Sequence, residues 1–241
     1  MITRVEGIIV ASLDYRENDI ITRVMTKEYG LISLVCKGAK KYTSKNRSSI
    51  LTYCLSEFIF DYQELKTIFT LQKANFIRNL YIKEDLIVLS AMNFASDVLK
   101  ILSREDSDYY SLYNDYLQVL ELINQNRMYE ALSVYLSKAS RTLGIKPVVD
   151  SCAKCNEEKV VTLSNRDGGF LCQKHAGTYE VIEPSRLKKF RMINHMDFEH
   201  ISYLDEYHFD LIDFDYMADF FLTHIDLELK SYRFLRSLLS L

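Results

Sequence analysis

Residues 20–26 have the sequence IITRVMT, the stretch that does most to decide the fold of this chain. Its β-branched residues recur at every second position, which predicts a strand with one buried face. They are Ile20, Thr22, Val24 and Thr26. Similar stretches lie at residues 2–12, 31–36, 55–62 and 67–73. Five short strands with small connections predict a closed barrel, because closure removes the exposed edges of a sheet. An OB-type barrel is the leading candidate, and an SH3-like barrel would give a similar pattern.

The apolar spacing changes from two to a helical period at about Asn79. A stripe that steps by four and three residues predicts a helix with one buried face; it runs through Ile87, Ala91, Phe94, Val98 and Ile101. Further stripes or start signals predict more helices, beginning near Tyr113, Met128, Pro184 and Phe214. The C-terminal part of the chain is therefore expected to be mainly helical.

The composition fits a folded protein without a membrane span. The 241 residues are 48% apolar, and no run approaches the ~18–20 apolar residues that a membrane helix needs. Charges at Arg4 and Glu6 leave no room for the apolar core of a secretory signal. Five cysteines are an odd number, and three lie close together, which favours a metal site in a reducing compartment over disulfides. We therefore expect a cytoplasmic protein.

Two short cysteine motifs predict a metal site. Cys152 and Cys155 are separated by two residues, as are Cys172 and His175, and sixteen residues lie between the two pairs. Each spacing lets a tight turn aim two ligands at one ion, and three thiolates with one imidazole form a suitable tetrahedral set for zinc. The turn-rich sequence at residues 165–169 predicts a hairpin that brings the two pairs together, as in a zinc ribbon. We expect one structural Zn²⁺ ion.

Two other interpretations of this segment are weaker. The cysteines could be ordinary reduced residues in a lobe that has lost its metal. A zinc hydrolase could use Asp167 or Glu158 as an acid or base, but all four metal positions are filled by protein and none remains for water. Altogether the sequence predicts an α+β fold with three parts, namely an OB-type barrel at 1–78, a helical domain at 79–149 and 180–241, and an inserted zinc-ribbon-like lobe at 150–179.

Positive charge is concentrated in the predicted barrel. Residues 1–80 contain twelve Lys or Arg against eight Asp or Glu, although the whole chain has a net charge of −3. Residues 37–47 hold five cations and no acid, on a predicted loop between two strands; they are Lys37, Lys40, Lys41, Lys45 and Arg47. Flexible cationic side chains at a barrel mouth suit a phosphate backbone, although a basic loop can also be only a solvated loop.

Other side chains could extend this surface. Arg16, Arg23 and Lys27 could carry the positive stripe across adjacent strands. Tyr15, Tyr42 or Tyr53 could stack on unpaired bases, whereas Phe58, Phe60 and Phe69 are expected in the core. A second basic cluster on a predicted helix is more simply a solvated face, with a supporting nucleic-acid contact as the alternative; it comprises Arg186, Lys188, Lys189 and Arg191.

Several motifs along the chain resemble the RecO family of bacterial recombination mediators. The N-terminal ones are EGIIV at 6–10, DYREND at 14–19, TKEYGLI at 26–32 and KGAKK at 37–41. The lead-in to the cysteine segment, LGI at 143–145 and PVVD at 147–150, and the closing LKSYRFL at 229–235 are similar to that family as well.

The resemblance implies a fold and a function. It implies an N-terminal OB fold, a helical domain and a zinc lobe in a protein without catalytic activity. Such a protein binds single- and double-stranded DNA, anneals complementary strands, and works with RecR to load RecA onto DNA coated by the single-stranded DNA-binding protein SSB. It would act at the nucleoid. His175 stands where many members have a fourth cysteine, and the acidic net charge differs from basic members. An RNA-binding or regulatory adaptor is the alternative function.

Overall fold

The computed structural model of the protein describes residues 1–64, 66–103 and 107–240. Seven strands are β1 Ile2–Asp14, β2 Ile20–Thr26, β3 Gly30–Cys36, β4 Cys54–Asp61, β5 Ile68–Asn79, β6 Val160–Ser164 and β7 Gly169–Cys172. Seven α-helices are α1 Leu86–Leu102, α2 Tyr109–Asn124, α3 Met128–Thr142, α4 Gln173–Ala176, α5 Pro184–Asn194, α6 Leu211–Ile225 and α7 Lys230–Leu238. Within these described ranges, no helix is both long and apolar enough to span a membrane.

The first five strands form a closed barrel in the order β1-β2-β3-β5-β4. All neighbours are antiparallel except β3 and β5, which pair in parallel over Ser33–Val35 and Ile68–Thr70. The predicted five-stranded OB-type barrel and the α+β fold class are confirmed. Alternation explains the interior, because every second side chain of a strand faces the same side; fully buried examples are Ile9, Val24, Leu34, Phe58 and Phe60.

Helix α2 packs on the outside of the barrel. It contacts β2 and β3, and Met25, on the outer face of β2, is fully buried. Gly30 adopts a left-handed φ of +62°, and a Cβ there would lie 2.6 Å from the Tyr109 ring. Only glycine both tolerates this backbone conformation and leaves room for the ring. The alternation in β2 predicted its barrel-facing side chains correctly. It did not predict that helix α2 covers part of the outer face of the strand.

Two compact units divide the chain. The first contains Met1–Leu89 and Leu99–Asn124, and thus the barrel and α2. The second contains Ser90–Val98 and the chain from Gln125 onward, which includes α3 to α7 and the cysteine-bearing hairpin. Helix α3 packs on α5 and α6 in the second unit, and this packing buries Leu132, Phe190 and Phe221.

The helix ends of the second unit follow local sequence rules. Pro184 begins α5, where its missing amide hydrogen costs nothing. Asp210 caps α6 by accepting hydrogen bonds from the backbone amides of Ile212 and Asp213. Asp226, with a left-handed φ of +51°, separates α6 from α7. The helical segment predicted to begin near Phe214 is therefore followed by a separate helix, α7.

The cysteine-bearing lobe is built on the hairpin of β6 and β7. Its strand β7 also forms a parallel bridge to the lead-in segment, between Gly169 and Val148. A Cβ on Gly169 would lie 2.2 Å from the Val148 carbonyl oxygen, so this close approach requires glycine. The bridge fixes the hairpin against the chain that enters the lobe.

Candidate metal centre and nucleic-acid surface

The structure brings the four predicted metal ligands together. Cys152 begins a tight turn in which its carbonyl oxygen accepts hydrogen bonds from the amides of Cys155 and Asn156, at 3.4 and 3.0 Å. Cys172 ends β7, and His175 lies on the short helix α4 that follows at once. The Ala153 amide donates to the Phe170 carbonyl oxygen at 2.8 Å and so fixes the first turn to the hairpin.

The spacing of the ligand atoms fits one tetrahedral metal ion. All four atoms lie within 4.8 Å of one another. The Sγ atoms of Cys155 and Cys172 are 3.7 Å apart, and Nδ1 of His175 is 3.5 Å from the Sγ atoms of Cys152 and Cys172. Metal bonds of about 2.3 Å to sulfur and about 2.0–2.1 Å to nitrogen give tetrahedral edges of about 3.8 and about 3.6 Å. The group could therefore hold a metal ion.

The local hydrogen bonds favour a thiolate at Cys152. Burial by itself raises the pKa of this thiol, but hydrogen bonds from the backbone of Cys172 and Lys154, and from His175, lower its pKa to about 6. Backbone amides that point at a sulfur stabilise its anionic form, which is the form that binds a metal. At Cys155 the Glu157 backbone hydrogen bond lowers the pKa, but desolvation together with the contacts to the Cys172 and Cys152 sulfurs raises it overall. The turn therefore favours the metal-binding thiolate at Cys152.

Asp167, a carboxylate of the zinc-hydrolase hypothesis, has a structural partner. Asp167 forms an ion pair with Lys154 at 2.8 Å and accepts a hydrogen bond from the Ser164 hydroxyl at 2.7 Å. The Lys154 hydrogen bond, followed by that of Ser164, lowers the pKa of Asp167. Asp167 therefore links the hairpin tip to the first cysteine turn. This structural role gives no support to the hypothesis that Asp167 is the acid or base of a zinc hydrolase.

The basic loop is held against the turn between β1 and β2 at one end of the barrel. The Gly38 amide donates to Oδ1 of Asp19 at 2.8 Å, and the Lys40 amide donates to the Asn18 carbonyl oxygen at 3.1 Å. Ala39, between them, is buried in the barrel core. The loop also contacts β5, because Oδ1 of Asn46 accepts the Ala74 amide at 3.1 Å. Residues 37–47 therefore have a defined backbone path.

Five exposed cations of this barrel end form what we call the cation surface, defined as Arg16, Lys37, Lys41, Lys45 and Arg47. Among the described residues, none of the five lies within 4.0 Å of a carboxylate. The nearby acids are partly engaged, since Asp14 pairs with Lys40 at 3.0 Å and Asp19 holds the Gly38 amide. Glu17 is the exposed acid in the same turn. The cation surface thus presents positive charge to solvent.

The other three predicted DNA-binding residues are placed differently. Lys40 belongs to the loop but pairs with Asp14, and its ammonium also contacts the Arg16 carbonyl oxygen. Arg23 is exposed in the middle of β2, about 10 Å along the strand from Ile20 at about 3.3 Å per residue. Lys27 lies past the far end of β2, where it is 4.0 Å from Glu6 and 4.9 Å from the Tyr113 ring centre. The structure does not bring Lys27 to the basic loop.

The aromatic residues separate clearly by exposure. Phe58, Phe60 and Phe69 are in the core, as predicted. Tyr53 is 1% exposed, so it is not available to stack on a base. Tyr15 is 42% exposed, with the Arg16 guanidinium 5.2 Å from its ring centre, and Tyr42 is 93% exposed.

The cations of the second basic cluster, on α5, are paired with acidic or aromatic side chains of the same protein. Arg186 forms a two-pronged ion pair with Asp210, both hydrogen bonds being 2.9 Å, and also contacts Asp213 at 2.8 Å. Lys189 binds the other oxygen of Asp213 at 2.7 Å. Arg191 pairs with Asp150 at 2.9 Å, and the Lys188 ammonium lies 5.0 Å from the Tyr207 ring centre. This cluster supports the packing of α5 on α6, which neither interpretation from sequence anticipated.

One exposed cation near the basic loop was missed from sequence. Lys73 on β5 is exposed and, within the described part of the chain, has no carboxylate within 4.0 Å. The next residue, Ala74, is the one that hydrogen-bonds Asn46 of the loop. No local motif marks Lys73, because its proximity to the loop arises only when β5 pairs with β4 in the barrel.

These observations define a class of protein: an OB-like five-stranded barrel followed by a helical domain that carries a Cys3His group able to hold a metal ion. Residues 1–80 match the family described as Recombination protein O N terminal, and residues 83–232 match Recombination protein O C terminal. The chain therefore belongs to the RecO family of DNA repair and recombination proteins. It is 32% identical to the DNA repair protein RecO of Bacillus mycoides over 186 residues, which cover 73% of this chain and 71% of that relative. The RecO of Bacillus cytotoxicus is 31% identical over 179 residues, with the same coverage.

Proposed function

We propose that this protein is a recombinational DNA repair mediator that binds single- and double-stranded DNA through the cation surface. The observation that carries this proposal is the absence, within the described residues, of carboxylate partners around five exposed cations. Four of them lie on a loop whose backbone is fixed, and Arg16 lies on the adjacent turn between β1 and β2. A phosphate backbone would supply the missing negative charge and release its counterions. Arg23, Lys27 and Lys40 belong to the proposed DNA-binding set as weaker contributors, because two of them already have carboxylate partners.

The proposed action is strand annealing without covalent chemistry. Two complementary strands repel each other through their phosphates, and the cation surface would screen that repulsion while the bases stay accessible. A screening role requires exposed, unpaired charge rather than a pocket with an acid and a base. Asp167 is consistent with a non-catalytic role, because its carboxylate is already paired with Lys154.

The proposed partners follow from family membership. RecO proteins are DNA repair proteins by name, and we propose that this chain acts with RecR to load RecA onto single-stranded DNA coated by SSB. The protein would act in the cytoplasm, at the nucleoid.

We propose that the Cys3His group holds one structural Zn²⁺ ion. The ligand set is typical of structural zinc, and the spacing fits its bond lengths. When bound, zinc would cross-link the two ligand-bearing turns. This cross-link would stabilise the fold of the lobe, because the lobe has few buried apolar side chains of its own. We expect about one zinc per chain, and we expect Cys152→Ser and His175→Ala to lose it, as measured by elemental analysis. Full occupancy in both variants would contradict the ligand assignment.

The decisive experiment is a salt titration combined with an annealing assay. Binding to single-stranded DNA should weaken with salt with a slope of roughly −3.5 on a log–log plot if five cations contact phosphates. Annealing of complementary strands coated with SSB should be faster with the protein than without it, and RecR should increase RecA loading. A slope near zero, or no acceleration of annealing, would contradict the proposal. Tighter binding to structured RNA, with no annealing, would favour the adaptor alternative.

A further inference from the structure

We infer that Tyr42 contacts unpaired bases and so gives the cation surface a preference for single strands over duplex. This inference rests on the proposed function, and it adds a specificity-determining residue to it. Three tyrosines were candidates from sequence, and the structure separates them by the surface that each ring leaves free.

The Tyr42 ring is almost fully exposed to solvent. Its exposed fraction is 93%, and no other tyrosine or phenylalanine in the described ranges exceeds the 64% of Tyr203. Tyr53 is excluded by its burial, and one face of Tyr15 is shared with the Arg16 guanidinium. An exposed ring lacks the stabilisation that burial of its apolar surface would give. Both faces of Tyr42 are therefore available to a ligand with a flat apolar surface.

The backbone beneath this ring is fixed. The Ser44 amide donates to the Lys41 carbonyl oxygen at 3.0 Å, which makes Tyr42 a central residue of a turn. The preceding turn is closed by the Lys41 amide and the Gly38 carbonyl oxygen at 3.1 Å, and Gly38 has the left-handed φ of +63° that this path needs. A ring on a fixed turn loses less conformational entropy on stacking than one on a mobile loop.

The charges around the ring indicate the kind of ligand. Lys41 is its neighbour in the chain, and Lys45 follows three residues later, both exposed and, within the described ranges, without a carboxylate partner. A single strand offers a phosphate and an unstacked base at each nucleotide, so cations and a ring on one turn match both groups. A duplex offers the phosphates but keeps its base faces stacked inside, where the Tyr42 ring has no access. The phosphate contacts are thus common to both ligands, and the ring contact is specific to single strands.

The first test uses the absence of tryptophan from the whole sequence. In Tyr42→Trp, the single tryptophan should be quenched by a single strand of about 16 nucleotides, the upper site size of one OB fold. A duplex of the same sequence should quench it much less. The control is Tyr110→Trp, which replaces a ring that is 62% exposed and belongs to helix α2 rather than to the loop. Equal quenching in both variants, or equal quenching by both ligands, would overturn the inference.

The second test measures affinity. Tyr42→Ala should weaken binding to the single strand by about 5- to 150-fold, the range for loss of one base–aromatic stack. Its duplex affinity and its salt slope should stay unchanged, because the phosphate contacts remain. Tyr42→Phe should retain single-strand affinity, since the stacking face is kept. The ring is exposed, so all three variants should melt at the wild-type temperature.

The two hypotheses fail in different ways. If wild-type binding does not depend on salt, both the proposed function and the role of Tyr42 are wrong. If wild-type binding does depend on salt, but Tyr42→Ala binds the single strand as tightly as the wild type, only the role of Tyr42 is overturned.

Discussion

The basic loop of the barrel and the basic face of α5 look alike in sequence and differ in the structure. Each places several cations within a short segment, with Lys37 to Arg47 on one and Arg186 to Arg191 on the other. In α5, carboxylates from a neighbouring helix and from the lobe lead-in satisfy three of the four cations, and a ring covers the fourth. In the loop, four of the five cations face solvent without such a partner within the described residues. Cation density is therefore a poor guide to nucleic-acid binding unless the acids that fold against the cations are known.

The largest expected effect is on DNA affinity, from neutralising four residues of the cation surface. Replacing Lys37, Lys41, Lys45 and Arg47 together by Gln should lower single-strand affinity at ~0.1 M salt by on the order of 10²–10³-fold, and should reduce the salt slope by about 3. Fluorescence anisotropy on a labelled oligonucleotide measures both quantities. The matched control is Lys188→Gln with Arg191→Gln on α5, which removes cations of the contrasting cluster. A comparable loss in the control would show that the two clusters do not differ in function.

The second expected effect is on stability and belongs to α5. Asp213 has a side chain that is 2% exposed, and it accepts from both Arg186 and Lys189. Asp213→Ala would leave two cations without their shared partner and remove part of the α6 capping box, so we expect a loss of about 3–5 kcal/mol in the free energy of unfolding. Urea denaturation followed by circular dichroism measures it. DNA affinity should not change, and a drop in affinity without a drop in stability would contradict the structural role.

A smaller effect should separate two neighbouring lysines of the loop itself. Lys37→Gln should weaken single-strand binding several-fold and reduce the salt slope by about 0.7, the contribution of one phosphate contact. Lys40→Gln should change the slope less, because its ammonium already pairs with Asp14 at 3.0 Å. The same anisotropy titrations compare the two variants. Equal changes would mean that the Asp14 pair opens when DNA binds.

The smallest expected effect is a pH dependence of stability that comes from the cap of α6. The Arg186 hydrogen bond, followed by those of the Asp213 and Ile212 amides, lowers the pKa of Asp210 well below its usual range. A folded pKa below the unfolded value of about 3.9 adds stability at higher pH that is lost as pH falls below about 4. Asp210→Asn keeps a capping side chain and removes the charge, so its stability should vary less with pH in that window. Melting temperatures between pH 6 and pH 2 would test this, and parallel curves for both proteins would contradict it.

The sequence was most informative where structure depends on neighbours in the chain. Strand β2 has the bounds predicted from its alternation, and the spacing of Cys152, Cys155, Cys172 and His175 was enough to predict that they meet. Strand β5 was expected to end at Lys73 but continues to Asn79, because pairing with β4 sustains it where alternation has stopped. Local patterns report what a segment favours, whereas strand pairing extends a segment beyond its own preference.

Charge pairing could not be predicted because the partners are distant in sequence. Asp14 and Lys40 are separated by 26 positions, and Arg186 and Asp210 by 24. Lys27 was grouped with the loop from its position in the barrel sequence, yet β2 carries it to the opposite end, beside Glu6 and Tyr113. The domain boundaries at 78, 149 and 179 and the individual DNA contacts stay predictions.

The parallel pairing of β3 with β5 has a consequence for the dynamics of the barrel. It joins only Ser33–Val35 to Ile68–Thr70, whereas β1 pairs with β2 along most of its length. This short β3–β5 pairing is the seam of the barrel. The basic loop, residues 37–47, lies in the stretch of chain that connects the two paired segments. Local opening costs least where few backbone hydrogen bonds must break. The amide hydrogen of Ser33, which bonds the Thr67 carbonyl oxygen across this seam, should therefore exchange faster than those of Val24 and Phe58.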